Sequence, residues 1–340
     1  MTETTEPTTP AKKRNPRKRQ AIAWVTMGIV AALILTVGFV VVRMLNASDD
    51  IETVEDAFPE ESLRPEKYEG PGNGPLNYLL LGSDTRGSGD ELLTGLGDRA
   101  DTILVVHIPS DRQSVQVMSI MRDSWVDIPG HGEAKINAAL SYGAVPLMVQ
   151  VVEGLIGQRI DDVAVIDFEG FNELTDVLGG VTVFNEVPFS ATGIQGHYTY
   201  DQGEITIRGD EALAFVRERY AFSDGDYQRV RNQQAFMRGL LDSMLEPSVL
   251  LNPLKMTDII EEMAPYLAAT DGISTGNLIG LAGQFAGSGM PNVQTFTLPT
   301  TGTGRMGSQS VVLVDWDQLA LVQEAFQQES MNDFTPPEPR

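Results

Sequence analysis

The 340-residue sequence contains no cysteine and only three histidines, His107, His131 and His197. Without cysteine there can be no disulfide, no thiolate nucleophile and no thiolate zinc site. The histidines stand apart, with no metal-ligand spacing. The G-x-S-x-G turn that a Ser-His-Asp hydrolase of the α/β type requires is also missing. Lysine is scarce over most of the chain: beyond residue 43 only Lys67, Lys135 and Lys255 stand against 14 arginines. Lysine is the usual solubilising cation, whereas the planar fork of arginine grips phosphate or carboxylate through two bonds. Codon usage in a GC-rich genome favours arginine as well. These absences leave Asp, Arg and a metal as the means for chemistry.

Basic residues are in short supply overall, and the formal charge is −23. Residues 1–43 hold seven Lys/Arg and two acids, leaving 17 basic and 45 acidic residues beyond, a net of −28. Nucleic-acid binding, which needs a basic face, is disfavoured. So is adhesion of the main domain to anionic lipid by charge alone.

The N-terminus differs from the rest. Residues 1–20 carry the cluster Lys12, Lys13, Arg14, Arg17, Lys18 and Arg19 and are too polar to fold. Residues 21–42 then run without a charge. A helix of that length spans about 33 Å, enough to cross a bilayer core. It is longer than a cleavable signal core. With the cations before the span, residues 1–20 stay cytoplasmic and the remainder is exported. Residues 43–75, rich in Glu, Pro and Gly, read as an extracytoplasmic stalk, and 329–340 as a disordered tail.

Between them, 76–328 read as one domain. Strands are expected at Asn77–Leu81, Thr102–Ile108, Val115–Ile120, Val163–Ile166, Val181–Phe184, Val293–Leu298 and Val311–Val314. Helices are expected at Ala138–Gly157, Glu169–Leu178, near 256–267 and 275–286, and near 316–328. Residues 163–184 read as a βαβ-like unit. Such alternation predicts an α/β fold, layered, with a central mixed sheet flanked by helices.

One stretch concentrates cations. FVRERYAFSDGDYQRVRNQQAF, 215–236, holds Arg217, Arg219, Arg229 and Arg231. If the chain is extended past Val216, Arg217 and Arg219 point to one side. Asp226 is a candidate N-cap for a helix to about Leu245, on which Arg229 and Gln233 share a face near an anion-favouring end. Together they would clamp a multiply charged anion such as pyrophosphate. Surface ion pairs with Glu218, Asp224 and Asp226 are the alternative.

Further motifs precede it: LLLGSDTRG (79–87) with Asp84 and Arg86, DRADTILVV (98–106) with Arg99 and Asp101, SIMRDSW (119–125) with Arg122 and Asp123, and KINAALSYG (135–143). In this order, over roughly 75–328, they resemble the LytR–CpsA–Psr family of bacterial cell-envelope proteins. The resemblance implies a phosphotransferase that moves a glycopolymer from a polyprenyl-pyrophosphate carrier to peptidoglycan through a phosphodiester link. It implies Mg²⁺ on Asp84 and Asp101 with Arg99 beside them, and pyrophosphate held by Arg122, Arg217, Arg219, Arg229 and Gln233. Catalysis would fall to Asp84, Arg99, Asp101 and Arg122. The polyprenyl tail would lie in an apolar cleft, to which the Ala138–Gly157 helix, chiefly core, contributes in part. Asp123 is a candidate for taking the acceptor's proton and equally a salt-bridge partner. The glycopolymer is open between arabinogalactan, teichoic acid and capsule. Two other functions stay open: a carrier pyrophosphatase, and a regulatory protein that binds the lipid without chemistry. The chain departs from the family pattern at Met121, where many members have proline, and at Asn232, where a second helix arginine often lies. Arg231 is rotated about 200° from Arg229 on a helix and is left outside the clamp.

Overall fold

The computed structural model describes residues 51–70, 73–83, 100–192, 196–218, 220–222, 226–250, 252–288, 291–331 and 334–335. All belong to one compact unit, 45–340. The expected basic tail and membrane span lie outside the described residues, as do Asp84, Arg86, Arg99 and Arg219.

In chain order the described elements are β1 (Glu52–Thr53), β2 (Leu76–Ser83), β3 (Ala100–Ile108), β4 (Ser114–Ile120), β5 (Ser124–Ile128), β6 (Gly132–Lys135), α1 (Ala138–Ile156), β7 (Asp162–Ile166) and α2 (Phe168–Val177). Then come β8 (Val181–Asn185), β9 (Phe189–Thr192), β10 (His197–Tyr200), β11 (Gly203–Ile207), α3 (Gly209–Arg217), α4 (Asp226–Leu245), α5 (Pro247–Leu250) and α6 (Pro253–Met263). The last are β12 (Leu267–Ala269), α7 (Thr275–Ser288), β13 (Asn292–Thr297), β14 (Thr300–Met306), β15 (Gln309–Val314) and α8 (Trp316–Gln327).

The central sheet is mixed, in the order β1-β12-β7-β2-β3-β4-β13, with a four-stranded sheet β14-β15-β5-β6 beside it. Strands β2 and β3 are apolar on both faces because both faces are covered. Leu79, Leu81, Ile103, Val105, Met118 and Ile120 face a core shared with α1 and α8. Leu104 and Val117, with Leu80 partly buried, belong to the opposite side. Helix α1 has the length and apolarity of a membrane span, yet Leu140, Met148, Val152 and Leu155 sit in that first core. It breaks at Gly143–Ala144, where the backbone leaves helical angles, and Pro146, lacking an N–H, follows in the next turn.

Three expectations about organisation need correction. Residues 163–184 are not a βαβ unit: β8 pairs antiparallel with β11 in a separate ribbon. Its residues alternate buried and exposed, the pattern of a strand covered on one side only, whereas a central parallel strand is apolar on both. The segment read as a stalk is part of the domain from residue 52. Glu52 and Thr53 pair with Ala268 and Ala269, and Val54 and Ala57 enter the core. At the other end Met331 is fully buried and Phe334 packs beside it, so the fold runs past 328 into the expected tail.

Arg64 fastens the N-terminal segment. Its guanidinium donates to Glu153 Oε1 of α1 at 3.0 and 2.7 Å and also to the Ile160 carbonyl. Both side chains are almost fully buried. Removing one partner of a buried pair strands the other charge, at a cost of about 3–5 kcal/mol. Arg64→Met should therefore lower the urea midpoint strongly, while a double variant Arg64→Met/Glu153→Leu should recover much of the loss. Equal midpoints in wild type and the single variant would show that the segment is not anchored there.

His107, in β3, is fully buried, its Nδ1 2.7 Å from Asn77 Oδ1. Burial, aided by the Arg112 charge, pushes its pKa down from 6.5 to about 3. The folded state thus resists a proton that the unfolded chain accepts. The resulting stability is whole above pH 6.5 and is lost as pH falls toward 3, at about 1.4 kcal/mol per unit. Burial pushes the Asp161 and Asp162 carboxyls up, which opposes the trend in the carboxylate range, so the clean window lies just below pH 6.5. Denaturant melts of wild type and His107→Gln should show that slope in the former and a flat profile in the latter. The same slope in both would remove His107 as its source.

Candidate active site

Arg122 follows β4 and ends the strand run that starts in the first core. Its backbone carbonyl accepts from Asn137 N, and the Asp123 carbonyl accepts from Val312 N at 2.9 Å, so the turn is tied to both neighbouring segments. Lys135 Nζ lies 2.8 Å from Asp123 Oδ1, and Arg122 Nε lies 3.9 Å from Asp123 Oδ2. Asp123 is thus a salt-bridge partner, and Lys135 is its holder.

Arg217 is not on an extended edge. Helix α3 continues through it, and only Glu218 turns extended. A cation in a last helical turn complements the macrodipole, and acids occupy the first turn. Glu218 Oε1 accepts from the backbone N–H groups of Tyr220 and Ala221 at 2.6 and 2.9 Å, which shapes the loop that leaves the helix.

Helix α4 brings Arg229 and Gln233 to the same place. The amide of Asn232 donates to the Phe215 carbonyl at 3.4 Å and that of Gln233 to the Val216 carbonyl at 3.3 Å. These are end-of-helix carbonyls of α3, which have no intrahelical partner of their own. Farther along, Gly239 lets α4 sit on β8: a Cβ there would fall 2.2 Å from the Thr182 carbonyl oxygen. Arg231 turns elsewhere, donating to Gln228 Oε1 at 3.0 and 2.6 Å.

Between these helices and the second face of the central sheet is a cavity of about 580 Å³. Arg122, Arg217, Arg229 and Gln233 all line it, together with Thr102 and Ser119. The rest of its wall is mostly apolar, including Leu80, Leu104, Phe171, Phe236, Leu240 and Met244, with Asp167, Gln234 and Thr295 as further polar members. On α4 the polar groups come first and the apolar ones after, so polarity changes along the roughly 22 Å from Arg229 to Met244. No residue of α1 is among the described lining residues. The expectation that α1 contributes to the cleft is therefore corrected: its apolar side is consumed by the first core, and α2, α3 and α4 supply the wall.

A smaller cleft of about 30 Å³ adjoins the same polar group, lined by Thr102, Ser119, Arg122, Asp123, Arg229 and Gln233 among others. Of the expected metal ligands, the Asp101 backbone belongs to β3 while its side chain, like Asp84 and Arg99, is outside the description. The pairing of β2 with β3 is nonetheless informative. Gly82 pairs with Thr102 and Ser83 with Ala100, so Asp101 is the extra residue of a register shift. Such bulges re-aim side chains near active sites. Among the described residues no group of three or more His, Asp or Glu is arranged to hold a metal.

The site residues that sequence reasoning overlooked are Thr102, Ser119 and the apolar wall. The signal for the wall was present: Arg229, Gln233, Phe236, Leu240 and Met244 form one helical stripe.

A mixed-sheet α/β domain with a cationic group at one end of an apolar cavity is the class of protein defined so far. Residues 39–328 match the LytR_cpsA_psr family, and the chain belongs to it. It is 32% identical over 278 residues to the probable cell wall biosynthesis protein LcpB of Corynebacterium glutamicum, covering 78% of this chain and 64% of that one. It is 30% identical over 227 residues to the polyisoprenyl-teichoic acid–peptidoglycan teichoic acid transferase TagU of Bacillus anthracis, covering 66% and 71%. The crystal structure of B. subtilis TagV superposes with a TM-score of 0.63 at 26% identity, covering 77% of this chain and 99% of that one. The chain thus spans somewhat less than two thirds of the Corynebacterium relative's length.

Proposed function

We propose that this protein is a glycopolymer–peptidoglycan phosphotransferase that takes its cargo from a polyprenyl-pyrophosphate carrier and leaves a phosphodiester link. The observation that carries the reading is the cavity: three arginines and Gln233 line it together with a mostly apolar wall, in which Asp167, Gln234 and Thr295 are further polar members. A lipid pyrophosphate has the same division, a multiply charged head on a hydrocarbon tail. The name of TagU, which specifies transfer of a polyisoprenyl-linked polymer to peptidoglycan, supports the same class of reaction.

Arg122, Arg217 and Arg229 would neutralise the pyrophosphate, with Gln233 as a further donor and Arg219 beside them. Phosphoryl transfer depends chiefly on such positioning and charge stabilisation. Asp84 and Asp101, assisted by Arg99, would hold Mg²⁺, an ion that favours one or two carboxylates plus substrate phosphates. The antiparallel β2–β3 register supports this, because Asp101 falls opposite the Gly82–Ser83 step, next in sequence to Asp84. When bound, the ion supplies charge neutralisation at phosphate oxygens. Residues 21–42 would anchor the protein as a single membrane span, with the N-terminus cytoplasmic and the domain in the cell envelope. Arabinogalactan is the proposed cargo, on the ground that the high Arg-to-Lys ratio and kinship to a Corynebacterium protein fit an actinobacterial source; teichoic acid and capsular polymer are the alternatives that product analysis would separate.

The test is a charge-preserving change. Arg217→Lys keeps the cation but loses the fork. Affinity for a polyprenyl pyrophosphate, measured by calorimetry, should fall ~10- to 100-fold, the equivalent of one charge-assisted bond. Arg208→Lys, on an exposed residue 3.9 Å from Asp176, should leave it unchanged. Equal losses at both positions would mean that general charge, rather than a built clamp, attracts the lipid.

A further inference from the structure

The two cavities share a wall. Thr102, Ser119, Arg122, Arg229 and Gln233 line both the 580 Å³ cavity and the 30 Å³ cleft. The same polar group therefore borders both a largely apolar chamber and a small pocket. A pocket of that size accepts one water or one hydroxyl group. Among its described lining residues Asp123 is the one carboxylate, and it is absent from the lining of the larger cavity.

This arrangement matters because phosphoryl transfer places the attacking and leaving oxygens roughly in line, on opposite sides of phosphorus. With the lipid in the large cavity and its pyrophosphate on the shared arginines, the leaving polyprenyl phosphate lies on the apolar side. The small cleft, which borders the same arginines and lies outside that chamber, is then the candidate second approach to phosphorus. We propose that this cleft is the entry site for the acceptor's sugar hydroxyl and that Asp123 is the catalytic residue that takes its proton. This rests on the transferase reading above and extends it to the acceptor.

Chemically, the acceptor oxygen forms a bond to the phosphorus that carries the glycopolymer. The bond from that phosphorus to the bridging oxygen breaks, and its electron pair leaves with polyprenyl phosphate. The hydroxyl proton passes to Asp123 Oδ2. Geometry singles out that oxygen: Oδ1 is engaged by Lys135 at 2.8 Å, whereas Oδ2 is 3.9 Å from Arg122 Nε. Asp123 is half-buried, and its backbone is tied by Val312, so the carboxylate is held rather than swinging. Lys135 then acts as a positioning residue through Asp123.

The full-length protein in detergent is assayed for transfer of a polyprenyl-pyrophosphoryl oligosaccharide to peptidoglycan fragments, and by calorimetry for binding of geranylgeranyl pyrophosphate. In Asp123→Asn, kcat for transfer should fall ~100-fold or more, the usual worth of a general base, while geranylgeranyl pyrophosphate binds within about threefold of wild type. Asp123→Glu, which keeps a carboxylate, should recover part of the rate. Should Asp123→Asn lower the melting temperature, Lys135→Met carries the same test: the carboxylate stays but loses its holder, and transfer should fall ~10-fold with lipid binding kept. A folded Asp123→Asn variant that transfers at the wild-type rate overturns the assignment and leaves the transferase reading intact. A wild-type protein that binds the lipid and never transfers overturns both.

Discussion

The site depends on one pair of contacts between two helices. At the end of α3 the carbonyls of Phe215 and Val216 have run out of helical partners, and the side-chain amides of Asn232 and Gln233 satisfy them. A buried, unsatisfied carbonyl would cost about 1–3 kcal/mol, so α4 is held at that position and angle. The consequence is that Arg217, last in α3, and Arg229, one turn before Gln233 in α4, line the same cavity. Gly239 secures the other end by allowing close approach to β8. The position where the family often has a second arginine is here Asn232, which therefore serves the helix junction.

A strongly acidic chain can keep such a cationic group effective because charge acts locally. Screening extends only about 8 Å at physiological salt, so distant carboxylates matter little. Among the described residues, three nearby acids also have structural contacts of their own. Asp123 is held by Lys135, Asp167 caps α2 through Gly170 N at 2.7 Å, and Glu218 shapes its own loop.

Much of the architecture was legible in sequence for a definite reason. Strands β2, β3 and β4 are largely apolar on both faces, and α1, despite its break at Gly143–Ala144, and α4 are long, so local pattern and tertiary burial agree. The failures are places where a distant contact decides. Nothing between Val216 and Arg217 signals that the helix goes on. The Glu-rich composition of 52–64 hides two core residues and an arginine whose partner, Glu153, is 89 positions away. The apolar face of α1 was divided between core and cleft, whereas packing against the sheet takes all of it. Of the site, Arg122, Arg217, Arg229 and Gln233 were legible as motif positions. Their common cavity was not, because it is created by the α3–α4 junction and by the second face of the sheet.

The central claim is that this cavity holds a lipid by its pyrophosphate. Native mass spectrometry of the full-length protein, extracted from membranes in mild detergent, tests it most directly. A single adduct with the mass of a polyprenyl phosphate or pyrophosphate should accompany the wild-type protein and be lost from an Arg122→Ala/Arg229→Ala variant that melts normally. Adducts of ordinary phospholipids in both proteins alike, with no polyprenyl species, would contradict the account.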